Sequence, residues 1–358
     1  MHARASTRLS SLARHFSRSA TSFTNGSGSG SNATTNPRFS RVMSFSKDEP
    51  EATAAGDPDL STKNPSKDAV EFNFPLSEIP KNPLGEGRFI KTAGALIIGD
   101  EILNGKTLDR NSNFFARYCF EWGIELKRIE VIADDENEII EASRRMVSSY
   151  DFVITSGGIG PTHDDITYAS LAKSFNQSLV HHNETLHRMH EMSKHRWASL
   201  AQQNPEQKAA RERMALFPDK AEVLFIAPDV WVPVVRLEGK LCVFPGIPKL
   251  FQRMLTGLTP FLPLPPPHER PFRQQVFTSH PESSIAPYLT ELQARTKDQG
   301  IRVGSYPLLG KGVYVSLIGR DTPTVQGIAE EAVAKLDGRL VTEEEAREMV
   351  REKEKGAA

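Results

Sequence analysis

Thr155-Ser156-Gly157-Gly158-Ile159-Gly160-Pro161-Thr162-His163-Asp164-Asp165-Ile166-Thr167 is the stretch that decides the reading of this chain. It follows a short apolar run, Phe152–Thr155, that reads as a buried strand. Three glycines within four residues free the backbone for positive φ and let amides converge. Apolar spacing at Ile166, Ala169, Leu171 and Ala172 predicts a helix over 166–175. Its start is expected at about Asp164 or Asp165, with its first amides pointing into the same concavity. Such a concavity suits a phosphate or diphosphate. Adjacent carboxylates would repel that anion unless a divalent cation lay between them, and Asp with phosphate oxygens is the usual hard-cation ligand set. The plainer alternative is that Asp164 caps the helix and the glycines turn the chain. Glycine loop, Pro, Thr and paired Asp coincide after a strand, which favours the functional reading.

Outward from this loop the pattern alternates. Ala93–Ile98 is an apolar strand ending at Gly99-Asp100-Glu101, and Asn111–Trp122 is a helix with Gly123 where a C-terminal cap belongs. Ile124–Ile132 is strand-like, Glu136–Ser149 helical, and Leu241–Phe244 a further strand. This β-α-β-α-β-loop-α order implies an α/β fold, a three-layer α/β/α sandwich around a mostly parallel sheet. Ligands of such sheets bind at the carboxyl ends of the strands.

The rest of the chain bounds the classes. At ~150 residues per domain, 358 residues imply about two domains. A net charge of −1 argues against a general nucleic-acid binder. No run approaches the ~18 apolar residues of a membrane-spanning helix. Two cysteines, Cys119 and Cys242, make no disulfide framework and read as core. The expectation is a soluble, intracellular protein with a polar extension.

That extension is basic. No Asp or Glu precedes Asp48, while Arg4, Arg8, Arg14, Arg18, Arg38 and Arg41 do. At about 100° per residue, Arg4, Arg8, Arg14 and Arg18 share one arc, with Ala5, Leu9, Leu12 and Phe16 opposite. An acid-free Arg/Ser helix reads as a mitochondrial transit peptide over about 1–25, against a merely basic tail. Arg14-His15-Phe16-Ser17 resembles a matrix-peptidase cleavage context. The expected location is the mitochondrial matrix, with a cytoplasmic form if translation starts at Met43. Residues 24–37 read as flexible linker, and the Pro-rich stretch that follows places residues 1–87 outside the fold. A domain over 88–262, a small α+β domain over 270–345 beyond Pro263–Pro267, and a charged tail over 346–358 complete the expected organisation.

The loop resembles the signature of the MoaB/Mog molybdopterin-binding domain. Gly99-Asp100-Glu101-Ile102-Leu103 with Gly105, Asn111, Asp134-Asp135, Met214-Ala215 with Pro218, and Phe244-Pro245-Gly246-Ile247-Pro248 resemble the CinA-like branch, which also forms the N-terminal half of eukaryotic FAD synthases. Gly304-Ser305-Tyr306-Pro307 resembles its small appended domain. The resemblance runs from about Phe89 to Leu336. It implies a sandwich that binds a pterin- or nucleotide-type diphosphate, with metal-dependent hydrolysis of ADP-ribose or FAD in the CinA-like branch and adenylylation of molybdopterin in the pterin branch. It carries Asp134 and Asp165 over as pocket acids. Asp164, an acid typical of the CinA-like branch, tilts the choice toward a metal-dependent pyrophosphatase.

The resulting site has Asp165 and Asp134 as catalytic acids. Asp164, Asp165 and Asp134 ligate one Mg²⁺, Mn²⁺ or Co²⁺. Thr155, Ser156, Gly157, Gly158, Gly160, Pro161 and Thr162, with Gly99, Asp100, Glu101, Gly246 and Pro248, hold the ligand. That ligand is a FAD- or ADP-ribose-type nucleotide, or a pterin held without hydrolysis. The relatives form dimers or trimers, and a surface strand beside the Pro-rich boundary could pair with a second copy. Because the sequence ends at Ala358, with Thr342–Lys355 reading as a charged helix, the nucleotidyl-transfer and deamidase activities of longer relatives are not expected here. His181, His182, His187, His190 and His195 crowd a predicted helix without metal-ligand spacing, since His190 and His195 are five apart. Lys208, Arg211 and Arg213 read as a solvated helix face. For His163, ligand contact and simple exposure stand level.

Overall fold

A computed structural model describes residues 72–196, 204–308, 310–342 and 344–346. The transit-peptide reading, and the charged tail beyond residue 346, lie outside the described residues. The elements run β1 Thr92–Ile98, α1 Asp100–Leu103, α2 Asn111–Glu121, β2 Glu125–Ile132, α3 Glu136–Ser149, β3 Phe152–Ser156 and α4 Thr167–Ser174. Next come β4 Leu179–His181, α5 Asn183–Arg196, α6 Pro205–Arg213, β5 Leu216–Pro218, β6 Glu222–Leu224, β7 Val234–Leu237, β8 Leu241–Phe244 and α7 Pro248–Leu258. The last set is β9 Phe272–Thr278, α8 Glu282–Thr296, β10 Arg302–Leu308, β11 Gly312–Gly319, α9 Thr322–Lys335 and β12 Arg339–Val341.

Six strands form the main sheet in the order β2-β1-β3-β8-β7-β6. The four from β2 to β8 are parallel, and β7 and β6 add antiparallel at one edge. Alternation along β1 explains the two cores. Ala93, Ala95 and Ile97 face Phe115, Tyr118 and Cys119 of α2 and Phe251, Met254 and Leu255 of α7. Leu96 and Ile98 face Ile139, Ala142 and Met146 of α3 and Leu171 of α4. With helices on both faces, β1, β3 and β8 need apolar residues on both, so they read as continuous runs. Cys119 and Cys242 sit in this core as free thiols, and burial pushes both thiol pKa values up.

A second, antiparallel sheet has the order β10-β11-β9-β12. Its core joins Val276, Val313, Val315 and Leu317 to Leu292 of α8 and to Val325, Ala329 and Ala332 of α9. Guanidinium groups meet aromatic rings between the two sheets: Arg273 lies 3.9 Å from the Phe120 ring centroid and Arg270 lies 4.3 Å from that of Trp122. No helix among the described residues is long and apolar enough to cross a membrane.

Two expectations change. Residues 72–87, expected outside the fold, lie along it without regular secondary structure. Phe74 N donates to Pro228 O and Ser77 N to Phe225 O, at 2.8 and 2.9 Å, while Leu84 packs on the core. The prolines hide this arm from any search for periodicity, because an extended strap needs no repeat. Arg188 of α5 pins it. Its side chain is 3% exposed, stacks between Phe74 and Phe225, bonds Glu184 at 2.7 Å and donates to Pro75 O at 2.8 Å. The second change concerns the histidines. His181 belongs to β4, paired with Leu216 of β5, and His182 precedes α5, where its Nδ1 accepts from Thr185 N. The chain turns from strand to helix where the sequence reads as helix throughout.

Arg188→Ala is expected to cost about 2–4 kcal/mol, since it removes a desolvated cation from between two rings and releases the arm. The urea midpoint reads this directly; an unchanged midpoint would show that the arm contributes nothing to stability.

Candidate functional site

The site lies where β1, β3 and β8 end. Gly157 leaves β3 at φ +113°, and a Cβ there would stand 2.0 Å from Ile98 O at the end of β1. Its N–H donates to Phe244 O of β8 at 3.2 Å. Gly246 lies in ordinary contact with it, since a Cβ on Gly246 would stand 3.5 Å from the Gly157 Cα. Three strand ends thus meet on a position that only glycine fills. Asn111, at the start of α2, ties the meeting point together: its Nδ2 donates to Ser156 Oγ and Gly246 O, both at 2.8 Å. Its Oδ1 is buried without a partner among the described residues.

Asp165 shapes the loop. Its carboxylate accepts from Gly160 N at 2.5 Å, from Thr162 N at 2.8 Å and from Thr162 Oγ1 at 2.5 Å. On the other side, Arg213 Nη2 donates to Pro161 O and to Thr162 O, the latter at 2.7 Å. Thr167 closes the base, with its N on Gly158 O and its Oγ1 on Gly157 O, both 3.0 Å. The helix begins at Thr167, not at Asp164 or Asp165, because Asp165 folds back to bond the loop instead of capping. Among the described residues, nothing accepts from Gly158 N or Ile159 N. These two amides are open donors at the site, and the first turn of the neighbouring α7 carries no acid.

The acids divide differently from the sequence expectation. Asp135 caps α3, accepting from Asn137 N and Glu138 N. Its neighbour Asp134 turns to the mouth, where Oδ2 accepts from Asp100 N at 3.0 Å and Oδ1 comes within 3.4 Å of where a Cβ on Gly158 would stand. Burial, then the charges of Glu101, Asp100 and Asp164, raise the Asp134 carboxyl above its ordinary range, against the Asp100 amide, which lowers it. Asp164 is exposed, and contact with the Thr162 hydroxyl and its own amide lower its carboxyl. So Asp134, Asp164, Asp100 and Glu101 form one electrostatic group, while Asp165 is engaged within the loop. Among the described residues, no group of three or more His, Cys, Asp or Glu is arranged to hold a metal ion.

The remaining expected residues fall into place. Gly99, Asp100 and Glu101 form the turn into α1, and Gly246 and Pro248 lead into α7. Thr155 and Ser156 are buried beneath the loop, where Ser156 holds Asn111. They support the site from below. Pro161, Thr162 and His163 are exposed at the loop tip. Sequence reasoning missed Asp109, which caps α2 by accepting from Asn111 N and Ser112 N, although an Asp two residues before a helix is a readable signal. It also left Arg213 on a solvated face, because a contact across 51 residues has no local signature.

Comparisons with known proteins find similar sequences for the part of the chain that builds the site. A family model described as "Probable molybdopterin binding domain" matches residues 94–264. A "Probable FAD synthase" of Caenorhabditis elegans is 33% identical over 231 residues, which span 61% of this chain and 44% of that protein. A Pyrococcus horikoshii protein is 33% identical over 234 residues, spanning 63% of this chain and 88% of its own length. The chain spans about half the length of the FAD synthases it matches. Among solved structures, the CinA protein of Thermoplasma acidophilum is similar at 29% identity and a TM-score of 0.41, over 48% of this chain and 96% of that one.

Asp134→Asn keeps an acceptor for Asp100 N and removes one charge from the group. A raised folded-state pKa favours the fold below the ordinary value of 3.8, and that contribution is lost as pH rises through the folded pKa. The variant should therefore melt at a higher temperature than the wild type at pH 7, and the difference should vanish below about pH 4. Calorimetry across this window checks it; a lower Tm at pH 7 would contradict the repulsion.

Proposed function

The chain belongs to the MoaB/Mog family of molybdopterin-binding domains, and from that membership we propose that it hydrolyses the diphosphate of a dinucleotide of the FAD or ADP-ribose type. One observation carries the proposal. Gly158 N and Ile159 N, without acceptors among the described residues, lie beside Asp134, whose carboxyl is raised by burial and then by the charges of Glu101, Asp100 and Asp164. The amides suit an anion, and the carboxylates suit something that offsets them.

A divalent cation fits this donor set. Mg²⁺ is usually held by one or two carboxylates together with substrate phosphates and water, so a closed protein cage is not required. Asp134 and Asp164 would hold it. When bound, the cation supplies charge neutralisation and polarises a phosphoryl oxygen. The chain's own residues do the rest. Gly158 and Ile159 amides and the α7 N-terminus hold the diphosphate and orient it. Asp165 keeps the loop open to it by occupying the amides of Gly160 and Thr162. A carboxylate at the mouth, Asp100 or Glu101, takes a proton from the attacking water. A phosphorus–oxygen bond forms to that water, and the bridging bond breaks with its oxygen leaving on the second phosphate. Two phosphate monoesters result. Positioning and charge stabilisation dominate such a step.

A second reading, binding of a pterin-type ligand without hydrolysis, is favoured by the description of the family model and by the engagement of Asp165 within the loop. The experiment separates the two. The full chain is incubated with FAD or ADP-ribose under Mg²⁺, Mn²⁺, Co²⁺ or chelator. Metal-dependent release of AMP is expected, and Asp134→Asn should lower kcat by about 10² or more. Intact nucleotides under every condition would sink the hydrolase reading.

The acid-free Arg/Ser start supports a further proposal, residence in the mitochondrial matrix, with Met43 as the start of a cytoplasmic form. Residues 1–25 fused to a fluorescent protein should direct it to mitochondria; a diffuse signal would contradict the targeting.

A further inference from the structure

We propose that Arg213 is a ligand-contacting residue of the same site, the cation that receives the charge of the bound diphosphate. This rests on the diphosphate reading above. The observation is the way Arg213 is held. Arg144 is spent on the carbonyls of Lys173 and Ser174 at the end of α4, and several other arginines are neutralised by carboxylates: Arg145 by Glu130 and Glu141, Arg236 by Glu222, Arg253 by Asp229, Arg295 by Glu331. Arg213 instead donates through Nη2 to two backbone carbonyls, Pro161 O and Thr162 O, at the tip of the glycine loop. Carbonyls orient a guanidinium without cancelling its charge. Among the described residues, its Nε and Nη1 have no partner, and the side chain is exposed. The nearest acid in sequence, Glu212, faces His190 and Lys208 at 3.5 and 3.7 Å. Asp165 faces inward to its own loop.

The helix that carries Arg213 is tied to its surroundings by polar contacts, Glu212 to His190 of α5 and Arg213 to the loop. No residue of α6 is buried, and its own stability comes from a capping box between Asn204 and Gln207. A helix of that kind makes little apolar contact to fix it. The bonds from Arg213 to the loop join it to the site, so the guanidinium is placed at the tip of the glycine loop with one edge anchored and the other open. A planar fork of that geometry suits two oxygens of a phosphate.

The chemistry requires such a group. A dinucleotide diphosphate carries two negative charges, one on each phosphate. Hydrolysis turns it into two monoesters with two charges each when fully ionised, and two protons leave to solvent. Charge therefore grows on the departing phosphate as the bridging bond breaks. A permanently charged donor there stabilises both the bound ligand and the developing charge. Lysine would bring the charge without the fork.

The test uses the full chain and inorganic pyrophosphate with Mg²⁺ as probe, followed by calorimetric titration. Arg213→Gln should weaken binding about 10–100-fold, the scale of a charge-assisted bond. Arg213→Lys should recover part of that loss, and the salt dependence of binding should be shallower in Arg213→Gln than in the wild type. Lys208→Gln removes a charge from the same helix and should leave binding unchanged. Unaltered far-ultraviolet circular dichroism and Tm identify variants that remain folded. Binding of Arg213→Gln within twofold of the wild type would overturn the assignment, as would an equal loss in Lys208→Gln. The outcome separates from the proposed reaction. Arg213-dependent pyrophosphate binding in a chain that leaves FAD and ADP-ribose intact removes the hydrolase reading and keeps the residue. Hydrolysis with the same KM and kcat in Arg213→Gln removes the residue and keeps the hydrolase.

Discussion

The rest of the site depends on the contact between Gly157 and the carbonyl of Ile98. A methyl group at position 157 would stand 2.0 Å from that oxygen, inside any tolerable approach. The strand ends of β1 and β3 therefore close only if residue 157 has no side chain. Gly246 lies against the same atom group, so the turn after β8 closes on it too. From this packed point the loop rises, and Asp165, Thr167 and Arg213 each hold one side of it. The geometry of the anion concavity is thus a consequence of backbone packing, with side chains acting as its ties.

Electrostatics follow from the same arrangement. Parallel strands deliver helix N-termini to one edge of the sheet, and an N-terminus favours negative charge. Acidic residues answer three of them. Asp109 takes the first amides of α2, Asp135 those of α3, and Asp134 the first amide of α1. Asp134 then stands close to Glu101, Asp100 and Asp164, where its carboxyl is raised. Among the described residues, the amides of Gly158 and Ile159 are left to an external anion. One side of the mouth thereby attracts an anion and the other a cation, the combination that a metal-bound diphosphate presents.

Much of this was legible in the sequence, and the physical reason differs by element. Buried parallel strands show as apolar runs, so β1, β3 and β8 were readable within a residue or two. The loop was readable because glycine spacing reports backbone need. What the glycines could not show was the orientation of Asp165, since a carboxylate that caps a helix and one that closes its own loop have the same sequence. Of the pair Asp134-Asp135, the family resemblance singled out Asp134 as the pocket acid, and the structure adds that Asp135 caps α3 while Asp134 meets Asp100 N. The arm over 72–87 and the reach of Arg213 depend on contacts between residues far apart in the chain, and neither periodicity nor spacing carries those. The β4 hairpin was read as helix because its three residues are too few to set a period.

The account stands on which loop amides are open to a ligand, and amide resonances report that directly. The full chain, labelled with ¹⁵N at glycine and isoleucine, is titrated with Mg²⁺ and inorganic pyrophosphate. Gly158 and Ile159 resonances should move with saturable dependence. Gly160, held by the Asp165 carboxylate, should move far less. Large shifts at Gly160 with Gly158 and Ile159 unmoved would contradict the account, because the loop would then have to release Asp165 to meet its ligand.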